Sequence, residues 1–460
     1  MAIMVVRVRA PVSRSGGAAV RSPRPARMPP VSPALRRALA ALVLLVGVPA
    51  IAGAQERYPT QWDPALLRRP DVRAALAALE RGFASQVDEW VRIAEMPGTS
   101  RSEAERAAYV RRAMEAQGLR VSVDSIGNVT GVRTGTGGGP TIVFAAHLDI
   151  VHPLGTNLKV TRQGDTLRGP GIFDNSASVA NMLAAIRALD AARVRTKGDL
   201  VFVATVQEEL GLRGMDYWLA HHPRPDLLIA LDGGLGPVAY GALGIHWTKY
   251  VFTSAGSHTV TSRNKPTPVK ALADAVRRIY ELRFPGLPEG AVINIGQVHG
   301  GVIYNGVPQE LYFTVDLRTP DPILLDSLDR TIATIVREAA DREKVGLRIE
   351  PELRNGAGGT TDQLRGARAH PLVQTAVDLQ RQLGVVAGAP GAPEALATGS
   401  TDANMGVVRG IPSIAIGRSY GGNQHTLTEW AHAPSALPAT KLVTLLAITF
   451  GDGIRTVPVP

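Results

Sequence analysis

The chain runs to 460 residues, too long for one small core and enough for two or three domains. Its 45% hydrophobic and 20% charged residues are those of a folded globular protein and exclude wholesale disorder. The absence of cysteine excludes disulfides, thiolate catalysis and cysteine-held zinc, so any metal must rest on His and carboxylates.

The net charge of +10 is concentrated at the start. Residues 1–54 hold eight arginines, no lysine and no acid, which leaves +2 for the rest of the chain. The basic character therefore belongs to a leader, and nucleic acid is not an expected partner. Arg36 and Arg37 precede an apolar run over 38–50, and Ala52-Gly53-Ala54 has the small-x-small form of a cleavage site. These are the marks of an export signal over 1–54 cut near Ala54, so the expected location is periplasmic or secreted, free of the membrane after cleavage. The run is short for a permanent span, the alternative being an uncleaved N-terminal anchor. Met28 is a second candidate start that would leave a leader of ordinary length. No other segment reads as a membrane span.

From 58 to 119 the apolar residues recur at helix spacing (Val72, Ala75, Leu76 and Leu79), and a second amphipathic helix over 104–117 ends at Gly118. Strands are expected over 120–124, 128–133 and 141–146, a helix over 176–191, a strand over 199–206, a helix over 215–221 and a strand over 227–231. Apolar strands alternating with helices predict an α/β domain: a mainly parallel sheet with helices on both faces. Between 245 and 355 the order becomes β-α-β-β-α-β, the grammar of a ferredoxin-like α+β module. After the Gly-rich stretch 355–361 the first domain resumes, with a helix over 371–383, a strand over 411–416 and a last helix over 439–450. The Gly/Ala/Pro-rich residues 387–395 are expected to be a mobile loop. The domains are thus 1–54 (signal), 55–244 and 356–460 (catalytic, in two parts) and 245–355 (inserted lid).

Four acid-bearing motifs stand at strand or helix ends, where open α/β sheets bind ligands. His147-Leu-Asp149 closes the strand over 141–146, and residues two apart in extended chain face the same way. Asp174 ends the loop Gly169-Pro-Gly-Ile-Phe-Asp just before a helix. Glu208 and Glu209 follow the run Leu200 to Val206, where solvated charges are least expected, and Asp232-Gly-Gly closes the strand over 227–231. His425 follows far downstream. Carboxylates gathered this closely repel one another and resist ionisation unless cations neutralise them, which divalent metals do.

In this order the motifs H-x-D, G-x-x-D-N, E-E, D-G-G and a late His resemble the co-catalytic zinc family of carboxypeptidase G, acetylornithine deacetylase, succinyl-diaminopimelate desuccinylase, aminoacylase and peptidase T. The resemblance covers nearly all of 89–449. A related group of zinc aminopeptidases shares the ligand order but generally lacks a lid between the last Asp and the last His. The resemblance implies a zinc-exopeptidase-like catalytic domain with a lid that also serves dimerisation, hence a homodimer. It implies two Zn²⁺ per subunit, Mn²⁺ or Co²⁺ also suiting His with carboxylates. Asp174 would bridge the ions, with His147 and Asp232 on one and Glu209 and His425 on the other. Asp149 would orient His147, and Glu208 would be the general base toward a metal-activated water. On the lid, His258 would stabilise the tetrahedral intermediate, often across the dimer, and Asn305 and Arg318 would bind the substrate carboxylate. The segment Ser400 to Asn404 resembles a family stretch near the site, without an assignable role. The family's frequent Lys and Gly after the bridging Asp are replaced by Asn175-Ser176-Ala177, and its Gly before the first His by Ala146. His152, His221, His222, His246, His299, His370 and His432 read as ordinary histidines.

The leading expectation is an exported metallopeptidase for short peptides, the runner-up an N-acyl-amino-acid amidohydrolase, and a metal-free binding protein the remote alternative. Sequence does not separate the first two, because a few pocket contacts decide such choices.

Overall fold

A computed structural model describes residues 58–287, 290–385, 394–396 and 398–455. The leader over 1–54 and residues 386–393 of the Gly/Ala/Pro-rich stretch lie outside the described residues.

Helices α1 (Pro70–Glu95) and α2 (Ala104–Glu115) open the described chain. Proline at the first helical position and Asp71 in the first turn suit the start of α1, and its buried stripe runs through Val72, Ala75, Leu79, Val87, Trp90 and Ile93. Then follow β1 (Arg120–Val123), β2 (Val129–Arg133), β3 (Ile142–His147), α3 (Ser176–Ala191), β4 (Leu200–Thr205), α4 (Arg213–His221), β5 (Leu227–Leu231) and β6 (Pro237–Ala239). The inserted segment supplies β7 (Gly244–Thr253), α5 (Pro268–Tyr280), β8 (Val292–Asn294), β9 (Val298–Gly300), β10 (Glu310–Thr319), α6 (Pro322–Glu343) and β11 (Gly346–Asn355). The chain returns with α7 (Pro371–Gln382), β12 (Glu394–Leu396), β13 (Ser413–Ile416) and α8 (Ala436–Gly451).

The main sheet has the order β1-β2-β4-β3-β5-β13-β6-β12. Its centre, β4-β3-β5-β13, is parallel, while β1-β2, β2-β4 and β13-β6 pair antiparallel, so the sheet is mixed around a parallel heart. Every residue of β3, β4, β5 and β13 is buried, as expected of strands covered on both faces. Together with the turn before it, α8 has the length and apolarity of a membrane span (Ala433–Gly451), which the sequence reading overlooked. It is a core helix instead, 72% buried and packed on α1, α3 and α7.

The inserted segment forms its own antiparallel sheet, β8-β10-β7-β11, with β9 also pairing β10. That is the ferredoxin-like order, and α5 and α6 cover one face over a separate core that includes Tyr250, Phe252, Phe313 and Ile332. A further small sheet was not foreseen: Tyr420–Gly422, Trp430–His432, Thr166–Arg168 and Thr161–Gln163 pair in that order. Its strands are three residues long and largely polar, so no alternation marks them. It ties the loop that carries Asp174 to the loop that carries His425.

Candidate metal centre

Parallel strands that end level bring their following residues together. His147, the last residue of β3, lies opposite Thr205, the last of β4, so the turn carrying Glu208 and Glu209 starts beside it. Ile416 lies opposite Leu231, and the Asp232 amide donates to the Ile416 carbonyl at 2.9 Å, so Asp232 and Arg418 share one corner. Gln207 sits at φ 56°, a left-handed turn that redirects the chain after β4.

Asp149 is fully buried and works as a hub. One oxygen accepts from the Glu208 amide at 2.9 Å, and the other accepts from the Glu209 amide at 3.1 Å and the Ser100 hydroxyl at 2.6 Å. Its first oxygen also lies 3.5 Å from His147 Nδ1. Glu429 does the same for the other loop, accepting from the amides of Gly171 (3.2 Å), Phe173 (2.7 Å) and Asp174 (2.7 Å).

The five predicted ligands converge. His147 Nε2 lies 3.1 Å from Asp174 Oδ1 and 3.9 Å from Asp232 Oδ2. His425 Nε2 lies 3.5 Å from Asp174 Oδ2 and 3.2 Å from Glu209 Oε1. Tetrahedral zinc with bonds of ~2.0–2.2 Å needs donor atoms roughly 3.3–3.6 Å apart, a range that the four spacings, 3.1 to 3.9 Å, bracket. Asp174 turns one oxygen to each imidazole, the disposition of a bridging carboxylate. Two donor groups, His147–Asp174–Glu209 and His147–Glu208–Asp232, each have their ligand atoms within 4.8 Å of one another. Glu208 is therefore at the centre, close enough to ligate as well as to move protons.

Charge and burial set the protonation. Burial pushes the Glu208 carboxyl well above the usual carboxylate range; the nearby charges of Asp232, Glu209 and Asp402 add to this, and His147 opposes it. Burial also raises Glu209. Burial would raise Asp174 too, but the Arg418 guanidinium and the two imidazoles hold it well below the carboxylate range. Hydrogen bonds to Asp174 and then Glu209 push the half-exposed His425 up to about 10.

Three residues here were missed or left without a role. Arg418, almost completely buried, pairs with Asp232 and Asp174, lies over the Phe173 ring at 4.2 Å and donates to Asn175 Oδ1 at 3.1 Å. Its signal was available, since it is a charge just past the apolar strand β13. Glu429, an acid four residues beyond His425, was the second. Asp402, in the segment without a role, accepts from the Thr205 hydroxyl at 2.6 Å, and burial pushes it up to about 7.

The lid residues form a separate group. His258 Nε2 lies 3.3 Å from Asn305 Nδ2 on an exposed edge. Their hydrogen bonds among the described residues are to lid residues alone. Arg318 Nε donates to Asp316 at 3.0 Å, and Asp316 also accepts from the Trp247 indole at 3.0 Å, which ties Arg318 into the lid sheet. Of the histidines read as ordinary, His152 is buried and its pKa is lowered by burial and by the nearby His425.

A family model described as peptidase family M20/M25/M40 matches residues 143–449. The chain is 32% identical over 151 residues to LysW-lysine hydrolase of Deinococcus radiodurans, a match spanning 32% of this chain and 40% of that relative. It is 23% identical over 397 residues to carboxypeptidase G2 of Pseudomonas sp. strain RS-16, spanning 82% of this chain and 89% of that one. Among solved structures it resembles aminopeptidase PepT from Bacillus cereus, with TM-score 0.62 and 19% identity over 79% of this chain and 98% of that chain, a likeness of fold.

Proposed function

The chain belongs to peptidase family M20/M25/M40, whose members are metal-dependent hydrolases, and from that premise we propose an exported two-zinc metallopeptidase that hydrolyses the peptide bonds of short peptides. The observation that carries this reading is the pair of donor sets, His147–Asp232 and His425–Glu209, joined by Asp174 with Glu208 alongside. The arginine-rich leader supports export, and the lid supports a homodimer. Mn²⁺ and Co²⁺ suit the same donors.

Bound there, divalent ions supply Lewis acidity toward the scissile carbonyl and lower the pKa of the attacking water. Glu208 takes that water's proton and passes it to the leaving amine. Asp149 holds the amides of Glu208 and Glu209 and stands behind His147, so the base and two ligands move as one rigid unit. His258 and Asn305 are the polar pair the lid offers to a substrate.

Glu208→Gln is expected to abolish turnover while metal content, read by elemental analysis, stays at the wild-type level; loss of metal would make Glu208 a ligand instead. The name LysW-lysine hydrolase, borne by a relative, favours a second reading in which the cleaved amide caps an amino acid. Di- and tripeptides assayed beside N-acetyl and N-succinyl amino acids with added Zn²⁺ separate the two. Cleavage of the acylated compounds alone would overturn the peptidase reading.

A further inference from the structure

Arg418 places a full positive charge inside a cluster that the reading above fills with cations, and that reading gives it no task. It is 1% exposed. Desolvating a guanidinium this deeply is compensated only where its geometry is good; here the two Nη atoms carry the contacts and buried Nε has no hydrogen-bond partner among the described residues. Nη1 donates to Oδ1 of Asp232 and, at 3.1 Å, to Asn175, while Nη2 lies 3.3 Å from Oδ1 of Asp174. The grip falls on one oxygen of each carboxylate. Oδ2 of Asp232 is left facing His147 at 3.9 Å, and Oδ2 of Asp174 facing His425 at 3.5 Å.

We propose that Arg418 is a positioning residue that locks the rotation of both carboxylates, so that Asp232 offers a metal ion one oxygen only and Asp174 keeps one oxygen toward each imidazole. The inference rests on the metal-centre reading. A carboxylate that rotates freely can bind an ion through both oxygens, which adds a ligand and fills the position an attacking water needs. Holding one oxygen of Asp232 prevents this. The planar fork reaches two carboxylates at fixed angles, which a lysine ammonium cannot do. The fork is itself held, by the Phe173 ring beneath it, by Asn175, and by the level pairing of β13 with β5 that sets Asp232 beside it.

The test loads the full-length wild type, Arg418→Lys and Arg418→Met with Co²⁺ alone, records the visible d–d absorption and titrates the metal by calorimetry. Both variants are expected to lose d–d intensity, as four-coordinate cobalt does on gaining a ligand, and to bind one of two ions about 10–100-fold more weakly. Phe173→Leu removes the ring and leaves every charge in place; it is expected to shift the spectrum the same way, which keeps the test decisive if the arginine variants do not fold. Wild-type spectra in all variants overturn the proposal. So does a wild-type spectrum in Arg418→Lys alone, which would make the role one of charge. A wild type that takes up no cobalt removes the metal-centre reading itself, a result distinct from both.

Discussion

Asp149 shows how much of this centre depends on a group that ligates nothing. Its two oxygens collect the Glu208 and Glu209 amides and the Ser100 hydroxyl, and they stand behind His147. Asp149→Asn keeps the shape but replaces one acceptor with a donor aimed at an amide. Metal affinity should fall about 10–100-fold, measured by competition with a chelator, with the secondary structure unchanged by circular dichroism. His425 gives a second check. Its folded pKa, raised to about 10, lies above the ordinary value of 6.5. In the metal-free protein its ion pairs thus stabilise fully below about 6.5, and that contribution is lost as pH rises through about 10. A ligand imidazole must be neutral, so loading metal at pH 7 should expel a proton. Calorimetry in two buffers of different ionisation enthalpy should register that release, and His425→Asn should abolish its share. At this scale the candidate ligands could be named because each sits at the end of an apolar run or in a family motif. Glu429 could not, since it is a lone charge whose partners lie far away in the chain, while Arg418 was passed over although it stands just past an apolar strand.

Strand ends, more than strand interiors, build the site. Gly417 follows β13, and a Cβ there would overlap the carbonyl of Gly234, across the corner that holds Asp232 and Arg418. Gly417→Ala should therefore destabilise the fold by about 1–3 kcal/mol in denaturant unfolding and weaken metal binding together with it. The buried strands and long helices were legible from the sequence to within a few residues, because burial on both faces leaves uninterrupted apolar runs and amphipathic helices leave a stripe. The second strand expected of the inserted β-α-β-β-α-β module is two short pieces, β8 and β9, which pair with β10 on either side of an interruption. The small sheet that joins the loops of Asp174 and His425 had no local signature, since its strands are three residues long and largely polar and its central pairing joins residues 262 to 266 positions apart.

Across the whole molecule, the two sheets have separate hydrophobic cores. Among the described residues, four of the five predicted ligands belong to the larger sheet or its loops and His425 to a loop of the small sheet, and the lid carries none. Chelation should therefore act unevenly. An ion held at 100 times its dissociation constant stabilises the folded state by about 2.7 kcal/mol, and its removal should lower the melting temperature accordingly. Hydrogen exchange should accelerate around 147–149, 171–175, 207–212 and 417–429 and stay unchanged over 244–355. Acceleration in the lid would mean that the cores are coupled more tightly than their separation implies. The α/β-plus-lid architecture was legible because the order of elements changes near 245 and back near 355. Substrate choice was not, because a few pocket contacts decide it.

The joining of the Asp174 loop to the His425 loop has a consequence for how the protein is made. His147 leaves the ribosome long before His425, and the acids between them arrive in order, with the lid threaded through the gap. A chain interrupted between residues 233 and 412 would carry three of the four central parallel strands and four of the five candidate donors, yet one half of the centre would stay open. The full donor set thus exists only once residue 425 has been made.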